Sequence, residues 1–268
     1  CSGDRKSMPS KRRFTRKLAD LMREPRFGGT HQHRILLGTP TMGVVRIEWH
    51  NAMAGIVIPT NWSNSTQTPI GFRVDDAQNI IARDAIEHGF EWMLLIEDDV
   101  VPPEDLLLKL RPYIEAKDIP IISGLYHLKG NATEPLMYRG RGTGAFRQWK
   151  PGSKVWVDGV PTGCLLLPTW FLRELPKRAD NYVLRMNGGN NVHLKRIFWT
   201  PRMVFADPAL PSYQKLVGTS DLWFCDQVMQ EGILKAAGWS KIAKRKYPYL
   251  VDTSIRCGHI DRTSGIIY

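Results

Sequence analysis

The chain has 268 residues, 43% of them hydrophobic and 24% charged, which is ordinary for a globular protein long enough to bury a sizeable core. No apolar run approaches the roughly 18 residues that a membrane-spanning helix needs. The four cysteines, Cys1, Cys164, Cys225 and Cys257, are scattered without Cys-x-x-Cys spacing, which argues against a zinc ribbon or a disulfide framework and for a reducing compartment.

The net charge of +11 is uneven: residues 1–34 hold ten Lys/Arg against Asp4, Asp20 and Glu24. Residues 1–33 therefore read as a basic, flexible arm. It is open to contact with a polyanion or an anionic membrane surface, or it is a solvated tail with Phe14, Leu18, Leu21 and Met22 along one helical face. The basic N-terminus has no apolar core behind it, so no secretory leader is expected and the cytoplasm is the expected location. Residues 34–268 read as a single domain.

From Arg34 the pattern alternates between strand and helix. Ile35–Gly38 is a short buried strand ending in the polar turn Thr39-Pro40-Thr41-Met42-Gly43. A helix is expected next, with Val44, Val45, Ile47, Trp49, Ala52 and Met53 on a broad apolar face. Ile56–Ile58 reads as a second strand, Asn61–Gln67 as a polar surface loop, and Pro69–Val74 as a third strand. Asp75-Asp76 opens a periodic helix carrying Ala77, Ile80, Ile81, Ala85 and Ile86 and stopping near Gly89.

Trp92–Ile96 then reads as a fully buried strand, running straight into Glu97-Asp98-Asp99 and, after two valines, Pro102-Pro103. Strand alternation would send Glu97 and Asp99 one way and Asp98 the other. Clustered carboxylates repel one another unless a cation or a proton lies among them. They could equally complement the dipole of the next helix, over residues 103–116.

Ile119–Gly124 is another buried strand. Residues 125–160 hold short β-like pieces, and Asp158–Gly163 is a glycine-containing turn into the strand Cys164–Leu167. Residues 180–216 look irregular, as segments that line or cover sites often do. Residues 221–237 show helical periodicity with Asp221 at the start, Tyr247–Asp252 is β-like, and Cys257-Gly258-His259-Ile260 closes the ordered part. Alternating strands and helices with short connections predict an α/β, Rossmann-like, mostly parallel sheet with helices on both faces. Ligands bind such sheets beyond the carboxyl ends of the strands, where both Thr39–Gly43 and Glu97–Asp99 fall.

The order of these motifs resembles the GT-A-fold glycosyltransferases, of the family-2-like kind found in bacteria and phages. It rests on the Pro-containing first turn, the helix with Asn79, the Glu97-Asp98-Asp99 cluster, Ile122–Tyr126, Thr162–Leu166, Ser220–Cys225 and Cys257–Ile260, and covers about residues 34–262. The resemblance implies a hexose moved from a nucleoside-diphosphate sugar to an acceptor hydroxyl, with Mn²⁺ or Mg²⁺ neutralising the diphosphate. It implies Asp99, His259 and Glu97 as metal ligands, and Thr39, Pro40, Thr41, Asn79, Arg83, Glu97 and Asp98 as donor-binding residues. Asp221 matches the family's catalytic carboxylate, the base of an inverting transfer; as a residue in a helix's first turn it also complements the dipole. Tyr126 and Trp223 could stack on an acceptor sugar or serve as core aromatics. Glu97 stands where Asp is usual, Gln78 where Arg is common, and Ser220 where the family has Glu. The acceptor is left open: a glycan, a protein or a modified nucleic acid. Two other functions share parts of this pattern, a nucleotidyltransferase releasing pyrophosphate and a non-catalytic nucleic-acid binder acting through the basic arm.

Overall fold

The computed structural model describes residues 33–130, 134–140, 144–185, 191–201, 204–207, 210–216 and 219–268. The expected basic arm, apart from its last residue, and the Asn187–Asn190 stretch lie outside the described residues. No described helix is long and apolar enough to cross a membrane.

The core is one seven-stranded sheet. In chain order its strands are β1 (His33–Gly38), β2 (Trp62–Gln67), β3 (Trp92–Ile96), β5 (Ile122–Leu125), β6 (Lys154–Val157), β7 (Cys164–Pro168) and β12 (Tyr249–Arg256). Their spatial order is β2-β1-β3-β7-β5-β12-β6. The pairings β2–β1, β1–β3 and β5–β12 are parallel, whereas β7 and β6 run against their neighbours. Five of the seven strands thus point the same way, so the expected α/β, Rossmann-like, mostly parallel sheet is what the chain forms.

Apolar runs make the central strands because both faces are covered. Leu36, Met93, Leu95, Leu165 and Leu167 face one core, shared with Ile81 and Ala85 of helix α2 (Val74–Glu87) and Phe224 and Val228 of helix α5 (Ser220–Gln230). Their neighbours Ile35, Leu37, Leu94, Ile96 and Leu166 face the other, against Leu106, Leu107 and Leu110 of helix α3 (Leu106–Ala116). This alternation is the two-residue period of a pleated strand. Gly38 is where β1 meets α2: a Cβ there would overlap Ile81 Cγ2.

Several local expectations change. The polar segment read as a loop, Trp62–Gln67, is the edge strand β2, and Ile56–Ile58 is not a strand. An edge strand needs only one pairing partner and tolerates polar side chains on the rest, and here only Trp62 is buried. Pro69–Val74 contributes just the bridge Thr41–Ile70. The first helix, α1 (Ile47–Ala54), buries Trp49 but leaves Ile47 exposed, as is Val44 before it. The region read as irregular, 180–216, forms two antiparallel pairs: β8 (Asn181–Arg185) with β9 (Asn191–Lys195), and β10 (Val204–Asp207) with β11 (Leu210–Leu216). Cys164, Cys225 and Cys257 are buried free thiols.

Candidate functional site

A cleft of about 380 Å³ opens at the carboxyl ends of β1 and β3, lined by Pro40, Thr41, the acids 97–99 and Asp221 among others. The first turn is fixed by its backbone. Thr39 N–H donates to Gln67 O at 2.9 Å, Gly71 N–H donates to Thr41 O at 2.9 Å, and Gly43 N–H donates to Thr41 Oγ1 at 3.0 Å. Pro40 and Thr41 reach the cleft; Thr39 is buried beneath them and does not line it.

The acidic segment is a turn and not a continuation of β3: Val100 N–H donates to Glu97 O at 3.0 Å, and Trp49 Nε1–H donates to the same carbonyl at 2.9 Å. The expected strand alternation therefore does not apply, and each carboxylate has its own surroundings. Glu97 accepts from Thr162 Oγ1 at 3.1 Å and from Gln78 Nε2 at 3.4 Å. Burial, with the charges of Asp99 and Asp221 adding to it, pushes its pKa up to about 8. Asp98 is buried and bonded to the Arg262 guanidinium. Asp99 Oδ2 accepts from Lys129 Nζ at 2.6 Å, with Arg262 at 3.8 Å. Burial would raise the Asp99 pKa, but His259 and Lys129 outweigh it and hold the carboxyl well below the usual range.

His259 is delivered by sheet pairing. The short strand β13 (Gly258–His259) runs antiparallel to β4 (Val100–Val101), and Ile260 N–H donates to Asp99 O at 2.8 Å. Its Nδ1 donates to His127 O at 2.7 Å, which leaves Nε2 facing Asp99 Oδ2 at 3.7 Å. Beyond it the chain turns back, His259 and Tyr268 exchanging backbone bonds of 3.1 Å, and Arg262 lies in the loop so formed.

Asp221 lies in the first turn of α5 and accepts from its neighbours, the Thr219 hydroxyl and Leu222 N–H. Burial is the largest influence on it and raises its pKa despite those bonds. A helix N-terminus alone would do the opposite. The sequence-derived residues Pro40, Thr41, Glu97, Asp98, Asp99 and Asp221 thus meet in one cleft.

Asn79 and Arg83 do not. Asn79 Nδ2 donates to Phe198 O at 2.8 Å and to Tyr182 Oη at 3.1 Å, and its Oδ1 accepts from Ile197 and Phe198 N–H at 2.9 Å. That amide thus fastens the segment after β9, and Tyr182 of β8, to α2. Arg83 pairs with Asp84 at 2.8 Å and Glu87 at 3.8 Å. Both line a separate cavity of about 250 Å³ beside His193 and Pro176. The expected donor-binding residues Asn79 and Arg83 thus lie apart from the cleft that holds the acids. Tyr126 lines the cleft, but its hydroxyl accepts from Gly163 N–H at 2.8 Å, a bracing role. Trp223 packs edge-on against Trp199 instead.

The groups that sequence reasoning passed over are Arg73, which lines the cleft and pairs with Asp75 at 3.0 Å, Lys129, Arg262, and Thr162 as a partner of Glu97. Lys129 and Arg262 carry no local signal, because their acids are 30 and 164 residues away.

A divalent cation on these acids can be tested against the donors present. In its favour, Asp98 Oδ2 and Asp99 Oδ1 are buried and have no hydrogen-bond partner among the described residues. Against it, the Lys129 ammonium and the Arg262 guanidinium already sit on the two aspartates, and Glu97 is engaged by Thr162 and Gln78. Among the described residues no three His, Cys, Asp or Glu gather to hold an ion. Glu97, Asp99 and His259 as placed do not fit the metal-ligand set expected from the sequence, because protein cations stand where the metal would.

No protein-family model matches this chain, and no curated protein matches it either. Among solved structures, A197 from STIV superposes over 85% of this chain and 86% of its own, at 15% identity and a TM-score of 0.50. S. aureus TarS 1–349 covers 53% of this chain, both in complex with UDP-GlcNAc and with UDP, at 12% identity and TM-scores of 0.36 and 0.35. This chain spans about half the length of those TarS structures, 47% and 48%. The likeness to A197 is one of fold.

Proposed function

We propose that this protein is a glycosyltransferase that moves a sugar from a nucleoside-diphosphate sugar to an acceptor hydroxyl. The observation that carries the reading is the cleft itself. At the carboxyl ends of parallel strands it combines a backbone-fixed turn, a charge-neutralised acidic turn and a carboxylate of raised pKa. The first suits a nucleoside, the second a diphosphate, and the third a proton to be accepted.

In this reading the Pro40–Thr41 turn receives the nucleoside and the acidic turn with its cations faces the diphosphate. Asp221 takes the proton of the acceptor hydroxyl. The hydroxyl oxygen bonds to the anomeric carbon as the bond from that carbon to the diphosphate oxygen breaks, and the nucleoside diphosphate leaves with the electron pair. Burial makes Asp221 a stronger base than an exposed aspartate, which suits that step. Glu97, whose pKa is pushed up to about 8, keeps its proton near neutrality and adds no negative charge opposite the diphosphate.

A thermal-shift panel of nucleoside diphosphates and their sugar esters tests the assignment. One base should raise the melting temperature, and incubation with its sugar ester should release the nucleoside diphosphate. Release of pyrophosphate from a nucleoside triphosphate would point to a nucleotidyltransferase instead, and a panel without any shift would end the nucleotide reading.

A further inference from the structure

We propose that Lys129 and Arg262 form the diphosphate-binding site of this protein and take the place of a divalent cation, so that donor binding does not require metal. The proposal deepens the glycosyltransferase reading and rests on it.

Asp99 holds the Lys129 ammonium at 2.6 Å, and Asp98, itself 1% exposed, holds the Arg262 guanidinium, whose second contact to Asp99 is 3.8 Å. An acidic motif in a metal site holds a cation by its carboxylates and lets the cation's remaining positions meet the phosphate oxygens. The same division of labour is present here with side-chain cations. An ammonium has three N–H groups and a guanidinium five, so one bond to an aspartate leaves donors free to bridge to a second anion. The Arg262 side chain is 47% exposed and lines the cleft, while its acid is buried, so the exposed part of the guanidinium is available to a ligand. Neither cation has another carboxylate partner among the described residues.

The arrangement is also anchored. Ile260 N–H bonds Asp99 O at 2.8 Å, and His259 pairs with Val100, so the loop carrying Arg262 is tied to the turn carrying its acid partners. An arginine pre-positioned in this way loses little rotamer freedom on meeting a diphosphate, and its planar fork matches two phosphate oxygens at once. A buried pair of aspartates without these cations would repel an incoming diphosphate.

The test is calorimetric binding of nucleoside diphosphates to the full chain, once in EDTA and once in Mg²⁺ or Mn²⁺. Wild type is expected to bind one nucleotide in EDTA with an affinity within about threefold of that in metal. Lys129→Met and Arg262→Gln are each expected to weaken binding in EDTA by at least about tenfold, with Arg262→Lys recovering part of the loss. Circular dichroism of each variant separates lost binding from lost fold, and the EDTA comparison on wild type stands without any variant. Binding by wild type only in the presence of metal would overturn the inference and leave the transferase reading standing. Unchanged affinity in both variants would overturn it too. Absence of binding in either buffer would overturn both readings together.

Discussion

Replacing Glu97 by Gln should remove a pH-dependent liability from the folded state. The side chain keeps its size and its carbonyl acceptor for Thr162 and Gln78, but it can no longer ionise. Below about pH 4.5, the ordinary glutamate value, folded and unfolded chains both carry the proton and the group is neutral in the balance. Between about 4.5 and 8 the unfolded chain gives up the proton while the folded one retains it, so stability falls as pH rises through this window. Above 8 both are ionised and the penalty is constant. The slope reaches about 1.4 kcal/mol per pH unit, and over the window the loss is on the order of 5 kcal/mol. Urea unfolding of wild type and Glu97→Gln at half-unit intervals from pH 5 to pH 9 measures it. The wild-type stability should decline more steeply than that of the variant, which keeps only the smaller slope from the raised pKa of Asp221 and the other groups. At pH 8 the variant should be the more stable protein. Parallel curves would show that Glu97 ionises in the folded protein at its ordinary pKa, and the reasoning about its burial would be wrong.

Asp221→Asn should lower turnover by about 10²–10⁴-fold while nucleotide affinity stays within about twofold, measured by donor release and calorimetry on the same preparation. Asn79→Ala should cost about 2–4 kcal/mol in urea unfolding, because it strands two buried backbone N–H groups and a carbonyl. Wherever that variant is folded it should bind nucleotide as wild type does. Gly163→Ala should destabilise by about 1–3 kcal/mol, since the added methyl would overlap Tyr126 Oη and lie 2.7 Å from Val100 Cγ2, and the displaced Tyr126 should weaken nucleotide binding. A crystal structure or a binding isotherm unchanged from wild type would refute that last expectation.

The sheet was legible where its strands are buried on both faces. The runs Ile35–Gly38, Trp92–Ile96 and Cys164–Leu167 cannot satisfy their apolar side chains any other way, and all three are strands. Trp62–Gln67 carried no such signal because what makes it a strand is the exposed edge of β1, a partner remote in sequence. The β8–β9 pair alternates exposed with half-buried positions, and only Leu194 of it is buried, so it lacks the apolar run that marks the central strands. At the site, acids at the end of a buried strand and an aspartate at a helix start announce themselves. Asn79 is an instructive contrast. A polar residue on a helix facing the rim and one facing a loop's backbone look the same in sequence, and only the position of Ile197–Phe198 distinguishes them. The cations fail for the opposite reason, being ordinary surface residue types whose partners are set by topology.

That topology explains why the acidic turn can exist at all. β7 runs antiparallel beside β3, so the start of β7 lies at the rim where β3 ends, and Glu97 N–H donates to Gly163 O at 3.0 Å. A parallel strand in that place would present its carboxyl end there, and the Thr162 hydroxyl that meets Glu97 would be at the far side of the sheet. On the other flank, β12 leaves the sheet into β13 and returns His259 and Arg262 to the same rim. Glu97, Asp98 and Asp99 are adjacent along the chain, yet four separate segments answer them: Gln78 and Thr162 meet the first, Lys129 the third, and the His259–Arg262 segment the second and third. Each carboxyl is thereby protonated or paired on its own terms, so three acids can share one turn without expelling one another. The cost is specificity of assembly. Losing any one partner leaves a buried carboxylate without its donor, so Arg262→Gln should also lower stability in urea unfolding at pH 7 by about 1–3 kcal/mol, because Asp98 loses the guanidinium bonded to it. An unfolding curve unchanged from wild type would mean that something other than Arg262 holds Asp98.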